Sequence, residues 1–299
     1  LTARSIYEVP VLLEKQGLDE VVLRKLDVDA TNHPLDMAEW HDMVERMLKD
    51  YDRKVTLGVV GKYVELQDSY ISLTEALRHA AMANEANLDI KWINAELVEE
   101  GEIDLEAELK DVDCILVPGG FGSKGLEGKI SAIKYARENK VPFFGICLGM
   151  QCAVVEYARH IGMTGANTTE ANAETAYPVI DILPDQQDVE EKGAMRLGLY
   201  PCKVAAGSQT EKAYGEALIY ERHRNRYEVN NAYREELEKN GLVIAGALPN
   251  GRLVEIVELP TDVHPWFMGV QFHPELKSRP TNPHPLFRDF IAAALKEQK

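Results

Sequence analysis

Val141-Pro142-Phe143-Phe144-Gly145-Ile146-Cys147-Leu148-Gly149-Met150-Gln151 is a short apolar run that stops at a Gly-x-Cys-x-Gly sequence. Residues 141–146 are too few for a helix and suit a buried parallel strand. From Leu148 to about His160 the spacing is helical, so Cys147 falls on the turn between strand and helix. A Gly-x-nucleophile-x-Gly turn in that position is a nucleophile elbow, here with Cys in place of Ser. The glycines are needed because the turn is tight and neighbouring side chains would clash. A helix N-terminus behind the sulfur favours thiolate, since the macrodipole stabilises negative charge there. A lone Cys at a helix start would read as a core thiol. The flanking glycines shift the reading to a nucleophile.

Working outward, residues 55–61, 89–95 and 113–117 read as further strands. Helical spacing at Tyr70, Leu73, Leu77 and Ala81, and again over 126–139, lies between them. After Thr164 the texture changes to short β-like runs at 177–183, 195–204, 217–221, 243–247, 253–258 and 266–272. Turns such as Pro249-Asn250-Gly251 separate them, residues 184–193 form a polar, acidic loop, and an amphipathic helix closes the chain at 286–295. The alternation predicts an α/β fold: an open, mostly parallel sheet with helices on both faces and β-rich late insertions. Residues 1–52 differ. Helical segments at 7–16, 18–26 and 37–48, broken by Gly17 and by Asn32-His33-Pro34, are too short to bury a core alone. They read as a linker or the tail of a domain outside this chain, with the main domain over 53–299.

Charge narrows the function. The 299 residues carry 33 Lys+Arg against 49 Asp+Glu, a net of −16. Such a chain is repelled by nucleic-acid backbones and by anionic membrane surfaces. Hydrophobic residues at 45% and charged residues at 27% indicate a globular protein rather than a disordered one. No apolar run reaches the roughly 18 residues of a spanning helix, and Leu1-Thr2-Ala3-Arg4 holds no signal core. Four cysteines (Cys114, Cys147, Cys152, Cys202) are too few for a disulfide scaffold, so a reducing, cytoplasmic setting is expected.

A thiolate nucleophile needs a base, and Gln271-Phe272-His273-Pro274-Glu275 offers one. In extended backbone His273 and Glu275 point the same way, so the carboxylate can hold the imidazole. Alone this segment would be a surface turn. With Cys147 it completes the Cys-His-acid logic of acyl transfer. Pro118-Gly119-Gly120-Phe121-Gly122 follows a strand, and adjacent glycines let backbone N–H groups face a site. Gly120 and the Leu148 amide are therefore the candidate oxyanion donors. A plain β–α turn is the alternative; a phosphate loop is disfavoured because no Lys-Ser/Thr follows. No metal site is expected, because neither Cys-x-x-Cys nor His-Glu-x-x-His occurs. The basic cluster Glu221-Arg222-His223-Arg224-Asn225-Arg226-Tyr227-Glu228 reads either as a charged edge strand or as a carboxylate- or phosphate-recognising stretch.

Taken together, Gly145–Gln151, Gly269–Glu275 and Pro118–Gly122 resemble the class I (triad) glutamine amidotransferases. Gly61-Lys62-Tyr63-Val64-Glu65-Leu66, Met195-Arg196-Leu197-Gly198 and Glu221–Asn230 look more narrowly like the glutaminase half of the CTP synthase family, from about residue 54 to the end. The resemblance implies Cys147 as nucleophile, His273 as base and Glu275 as orienter. It implies a glutamine pocket formed by Gly119, Phe121, Gln151 and Glu170, with Arg226 on the α-carboxylate, and an effector loop at Arg196 linked to activation by GTP. It implies no cofactor for glutamine hydrolysis. ATP, magnesium and UTP would belong to a synthetase domain of the same polypeptide, reached by ammonia through a tunnel, in a full-length homotetramer. This chain has no room for that domain, so it is expected to hydrolyse L-glutamine and not to make CTP alone. Lys124 and Ser69 replace the usual Arg and Ala, which bears on effector binding. A γ-glutamyl cysteine hydrolase of the same fold and a non-catalytic regulatory module are the alternatives.

Overall fold

The computed structural model describes residues 2–29, 35–182 and 195–298. The expected break at Asn32-His33-Pro34 and the whole acidic loop at 184–193 lie outside the described residues.

The helices are α1 (Val9–Glu14), α2 (Leu18–Leu26), α3 (Ala38–Leu48), α4 (Ile71–Ala83), α5 (Ala95–Glu99), α6 (Leu105–Leu109), α7 (Leu126–Asn139), α8 (Leu148–His160), α9 (Gln209–Tyr214), α10 (Asn231–Lys239) and α11 (Pro285–Glu297). The strands are β1 (Arg53–Gly61), β2 (Ala86–Asn94), β3 (Cys114–Val117), β4 (Phe143–Ile146), β5 (Asn167–Thr168), β6 (Pro178–Asp181), β7 (Arg196–Val204), β8 (Leu218–Asn225), β9 (Glu228–Val229), β10 (Val243–Ala247), β11 (Val254–Glu258) and β12 (Phe267–Val270). Nine strands form one sheet in the order β2-β1-β3-β4-β12-β11-β10-β7-β8, and β5-β6-β9 form a small second sheet. The first five are parallel, as expected. From β12 outward every pairing is antiparallel. Most of the late β-rich part thus extends the main sheet.

The strand alternation sorts two cores onto its two faces. Ile115, Val117 and Phe143 face α7 and α8, whereas Cys114, Leu116 and Phe144 face α4 and α11. In the N-terminal segment, Val11, Met43 and Val44 form a third cluster that docks on Met82 of α4. Helices α9 and α10 lie where only strands and turns were expected. Each has a cap legible in sequence: Ser208 accepts from the Glu211 amide and Asn230 from the Ala232 amide. No described helix is long and apolar enough to cross a membrane.

This topology builds the site. β4 lies between β3 and β12, paired Val117 with Gly145 and Gly145 with Gly269. The chain leaving the C-terminal ends of these three neighbours carries Pro118–Gly122, Cys147 and His273. Ligand sites in open α/β sheets sit at such strand ends.

Candidate active site

Cys147 occupies φ 52°, ψ −104°, a conformation that costs a non-glycine residue on the order of 1–3 kcal/mol. The strain is imposed from both sides. A Cβ at Gly145 would lie 2.7 Å from the Gly149 carbonyl, and one at Gly149 would lie 2.0 Å from the Val117 carbonyl oxygen. The Cys147 amide donates to Val270 O at 2.7 Å, tying the turn to β12. Cys114, Cys152 and Cys202 are buried and burial raises their thiols, Cys152 to about 12. Of the four, only Cys147 lines the pocket described below.

His273 Nδ1 meets Glu275 Oε1 at 2.7 Å, as the i, i+2 spacing predicts. The His273 amide donates to Arg222 O in β8 at 2.7 Å, which fixes the segment against that strand. The other ring nitrogen, Nε2, is buried without a hydrogen bond of ordinary geometry, and the neighbour the ring feels is Cys147. Burial alone would push the imidazole down. The interactions with Cys147 and Glu275 outweigh it and raise His273 to about 10. At neutral pH the ring is therefore an imidazolium beside the sulfur, held by a carboxylate.

Gly119 packs against both groups. A Cβ there would lie 2.8 Å from His273 Cε1 and 3.5 Å from Cys147 Cβ. Gly119→Ala should therefore displace the imidazole. A fall in kcat of about 10²-fold is expected, with a melting temperature within a few degrees of the parent. Unchanged turnover would show that the ring has room to spare.

A cavity of about 620 Å³ opens over these residues, lined by Gly119, Gly120, Phe121, Cys147, His273 and Glu275 among others. Leu148, Gln151, Glu170 and Arg226, the other expected residues, are not among those that line it. Leu148 starts α8, so its N–H has no partner inside the helix. Glu170 Oε1 accepts from the Gly122 amide at 2.9 Å and braces the glycine loop. Gln151 is buried and is not among the lining residues; its Nε2 donates to Tyr227 O and to Gln271 Oε1. Arg226 is exposed one residue past β8, while Arg224 lines the cavity with its guanidinium 5.5 Å from the Phe121 ring centroid. Lys124 is exposed, and Ser69 is at the cavity wall.

Arg196 falls in the β-like run expected at 195–204 and so sits in a strand, where the resemblance implied an effector loop. It is the first residue of β7 and is buried, with Nη1 on Glu228 at 2.8 Å and Nη2 on Glu255 at 2.7 Å. A buried guanidinium needs full pairing, and these two carboxylates supply it. The inward side of β8 is polar for the same reason: Glu221, His223 and Asn225 are buried while Arg222 and Arg224 are exposed. β8 is also the sheet's edge strand, so the charged-edge reading of the cluster holds.

Sequence reading missed Lys62, Tyr63, Tyr70, Ser72 and Lys129 at the cavity and Gln271 beneath the sulfur. Lys62 and Tyr63 sat inside the quoted Gly61–Leu66 stretch without an assigned role, Tyr70 counted only toward a helical spacing, and Ser72 and Lys129 carry no motif of their own. Gln271 sat inside a quoted motif, but which neighbour its amide meets depends on the packing of α8.

Residues 65–293 match the family described as glutamine amidotransferase class-I. The chain is 55% identical to CTP synthase of Clostridium kluyveri over 300 aligned residues, covering 100% of this chain and 55% of that protein. It is 54% identical to CTP synthase of Carboxydothermus hydrogenoformans, covering 99% of this chain and 55% of the relative. The chain thus spans about half the length of the curated relatives it matches. The solved structure of the Trypanosoma brucei CTPS glutaminase domain with bound acivicin superposes with a TM-score of 0.75 at 38% identity, over 82% of this chain and 95% of that one. Strained cysteine, paired imidazole, glycine loop and sequence similarity agree, and this chain belongs to the class-I glutamine amidotransferase family, among the glutaminase domains of CTP synthases.

Proposed function

We propose that the chain hydrolyses the side-chain amide of L-glutamine to glutamate and ammonia through Cys147, His273 and Glu275. The observation that carries this is the His273 ring, hydrogen-bonded to Glu275 and set beside a strained Cys147. The sulfur attacks the amide carbon. The amides of Gly120 and Leu148 receive the oxyanion, and His273 gives its proton to the departing ammonia. Water, deprotonated by His273, then resolves the γ-glutamyl thioester. Glu170 and Arg226 hold the amino-acid end of the substrate in this reading. Gln151 acts there only through a shift from its buried position.

In the full-length protein the ammonia would pass to a synthetase domain of the same polypeptide, which aminates UTP with ATP and magnesium. Residues 1–52 would be the linker to it. Activation by GTP and assembly as a tetramer belong to that whole protein. Ammonia release from glutamine tests the glutaminase reading. Turnover of γ-glutamyl peptides but not glutamine would assign the chain to a sister hydrolase instead.

The charge state of His273 gives a second prediction. Its folded value lies above the ordinary one, so the ring is protonated at neutral pH and loses its proton as pH rises through about 10. Glu275→Gln removes one interaction that holds it high. A drop in kcat of about 10²-fold or more is expected, with the alkaline limb of the pH–rate profile moved to lower pH. An alkaline limb in its parental place would rule out action of the carboxylate through the imidazole.

A further inference from the structure

Gln271 lies between β12 and the catalytic histidine, fully buried, and its Nε2 is 3.6 Å from Cys147 Sγ. The orientation of its amide is dictated by its neighbours. The Tyr227 carbonyl can only accept, so Gln151 presents its NH2 group there, at 3.0 Å. The same Gln151 nitrogen reaches Gln271 at 3.1 Å, so Gln271 must present Oε1 on that side. Its own NH2 group is then left facing the sulfur. We infer that Gln271 is an N–H donor to the nucleophile, locked in that orientation by Gln151 and the Tyr227 carbonyl, and that it stabilises the thiolate and keeps Sγ aimed at the substrate.

The chemistry favours this role. An N–H donated to an anion is stronger than one donated to a neutral thiol, so the bond selects the deprotonated sulfur. The second close partner of the sulfur, the Arg224 carbonyl at 3.8 Å, can accept only from the thiol and offers nothing to the thiolate. Beside the α8 N-terminus and His273, Gln271 is thus an uncharged donor that does not compete for the transferred proton. Other charged or titratable groups face the same cavity: Glu275 behind His273, Arg224 from β8, Lys62 and Tyr63 after β1, Tyr70, and Lys129 from α7. All of them remain in a Gln271 variant, so their influence on the sulfur is common to parent and variant.

The proposal deepens the glutaminase reading and rests on it for its catalytic meaning, but its test does not need turnover. The rate of Cys147 alkylation by iodoacetamide, followed against pH by mass spectrometry, gives the midpoint of thiol ionisation. Gln271→Met keeps a similar shape without a donor. Gln271→Glu keeps an acceptor for Gln151 and places a carboxyl group at the sulfur. The midpoint should rise by about one unit in the Met variant, leaving about tenfold less thiolate at a fixed pH below it, and further in the Glu variant. In the Met variant kcat should fall by about 10-fold or more, with KM within about twofold of the parent. Unshifted alkylation midpoints in both variants would overturn the inference while leaving glutamine hydrolysis standing. A shifted midpoint in a protein that releases no ammonia would uphold the donor and sink the glutaminase reading.

Discussion

Cys147→Ala should abolish ammonia release, with a loss of about 10⁴-fold or more in kcat. The magnitude follows from what the sulfur does in the proposed route. It supplies the attacking electron pair, and no other thiol at the cavity can replace it: the other three cysteines are absent from the cavity lining. What remains without it is oxyanion stabilisation and binding of the amino-acid end, which leave a small residual rate over water. Binding itself should survive. The alanine relieves no clash and keeps the Gly119 and Gly120 amides in place, so glutamine affinity measured by calorimetry should stay within a few-fold of the parent. Substantial turnover in this variant would locate the nucleophile elsewhere and remove the role given to the elbow.

Gly149→Ala should be the most destabilising substitution at the site, by about 4 kcal/mol or more. The added methyl would sit 2.0 Å from the Val117 carbonyl oxygen and 2.9 Å from its carbon, both backbone atoms. Neither partner can retreat. Val117 ends β3, which is hydrogen-bonded between β1 and β4. α8 is pinned by Met150, itself packed against Gly269 of β12. Relief would require lifting the helix that carries Cys147, so residual folded protein should also be inactive. Urea unfolding of parent and variant measures the difference. A cost below about 1 kcal/mol would mean that helix and strand are not held as close as the geometry states.

The local elements of the site were legible because each is encoded by neighbours in the chain. Gly145 and Gly149 around Cys147 announced the elbow, and the structure gives Cys147 the positive φ that such a turn needs. His273 and Glu275 share one side of an extended segment, and they bond at 2.7 Å. The five parallel strands followed from their apolar runs. By contrast, α9 and α10 are hidden by the β-like runs around them, although Ser208 and Asn230 cap them. Arg196 illustrates the opposite failure. Its motif was assigned to an effector loop, but the carboxylates of Glu228 and Glu255 that pair with it inside the fold lie 32 and 59 residues away.

By itself, then, the sequence determined the chemistry: a thiol in a strained turn, an imidazole with its carboxylate, and a glycine loop of amide donors. Only the tertiary structure decided that they meet, by inserting β12, the last strand of the chain, between β4 and β11. That placement puts residue 273 beside residue 147 across a parallel pair, and it also delivers Gln271 to the sulfur. Strand order follows from the burial of both sheet faces at once, a property of the whole packed molecule that no local pattern contains.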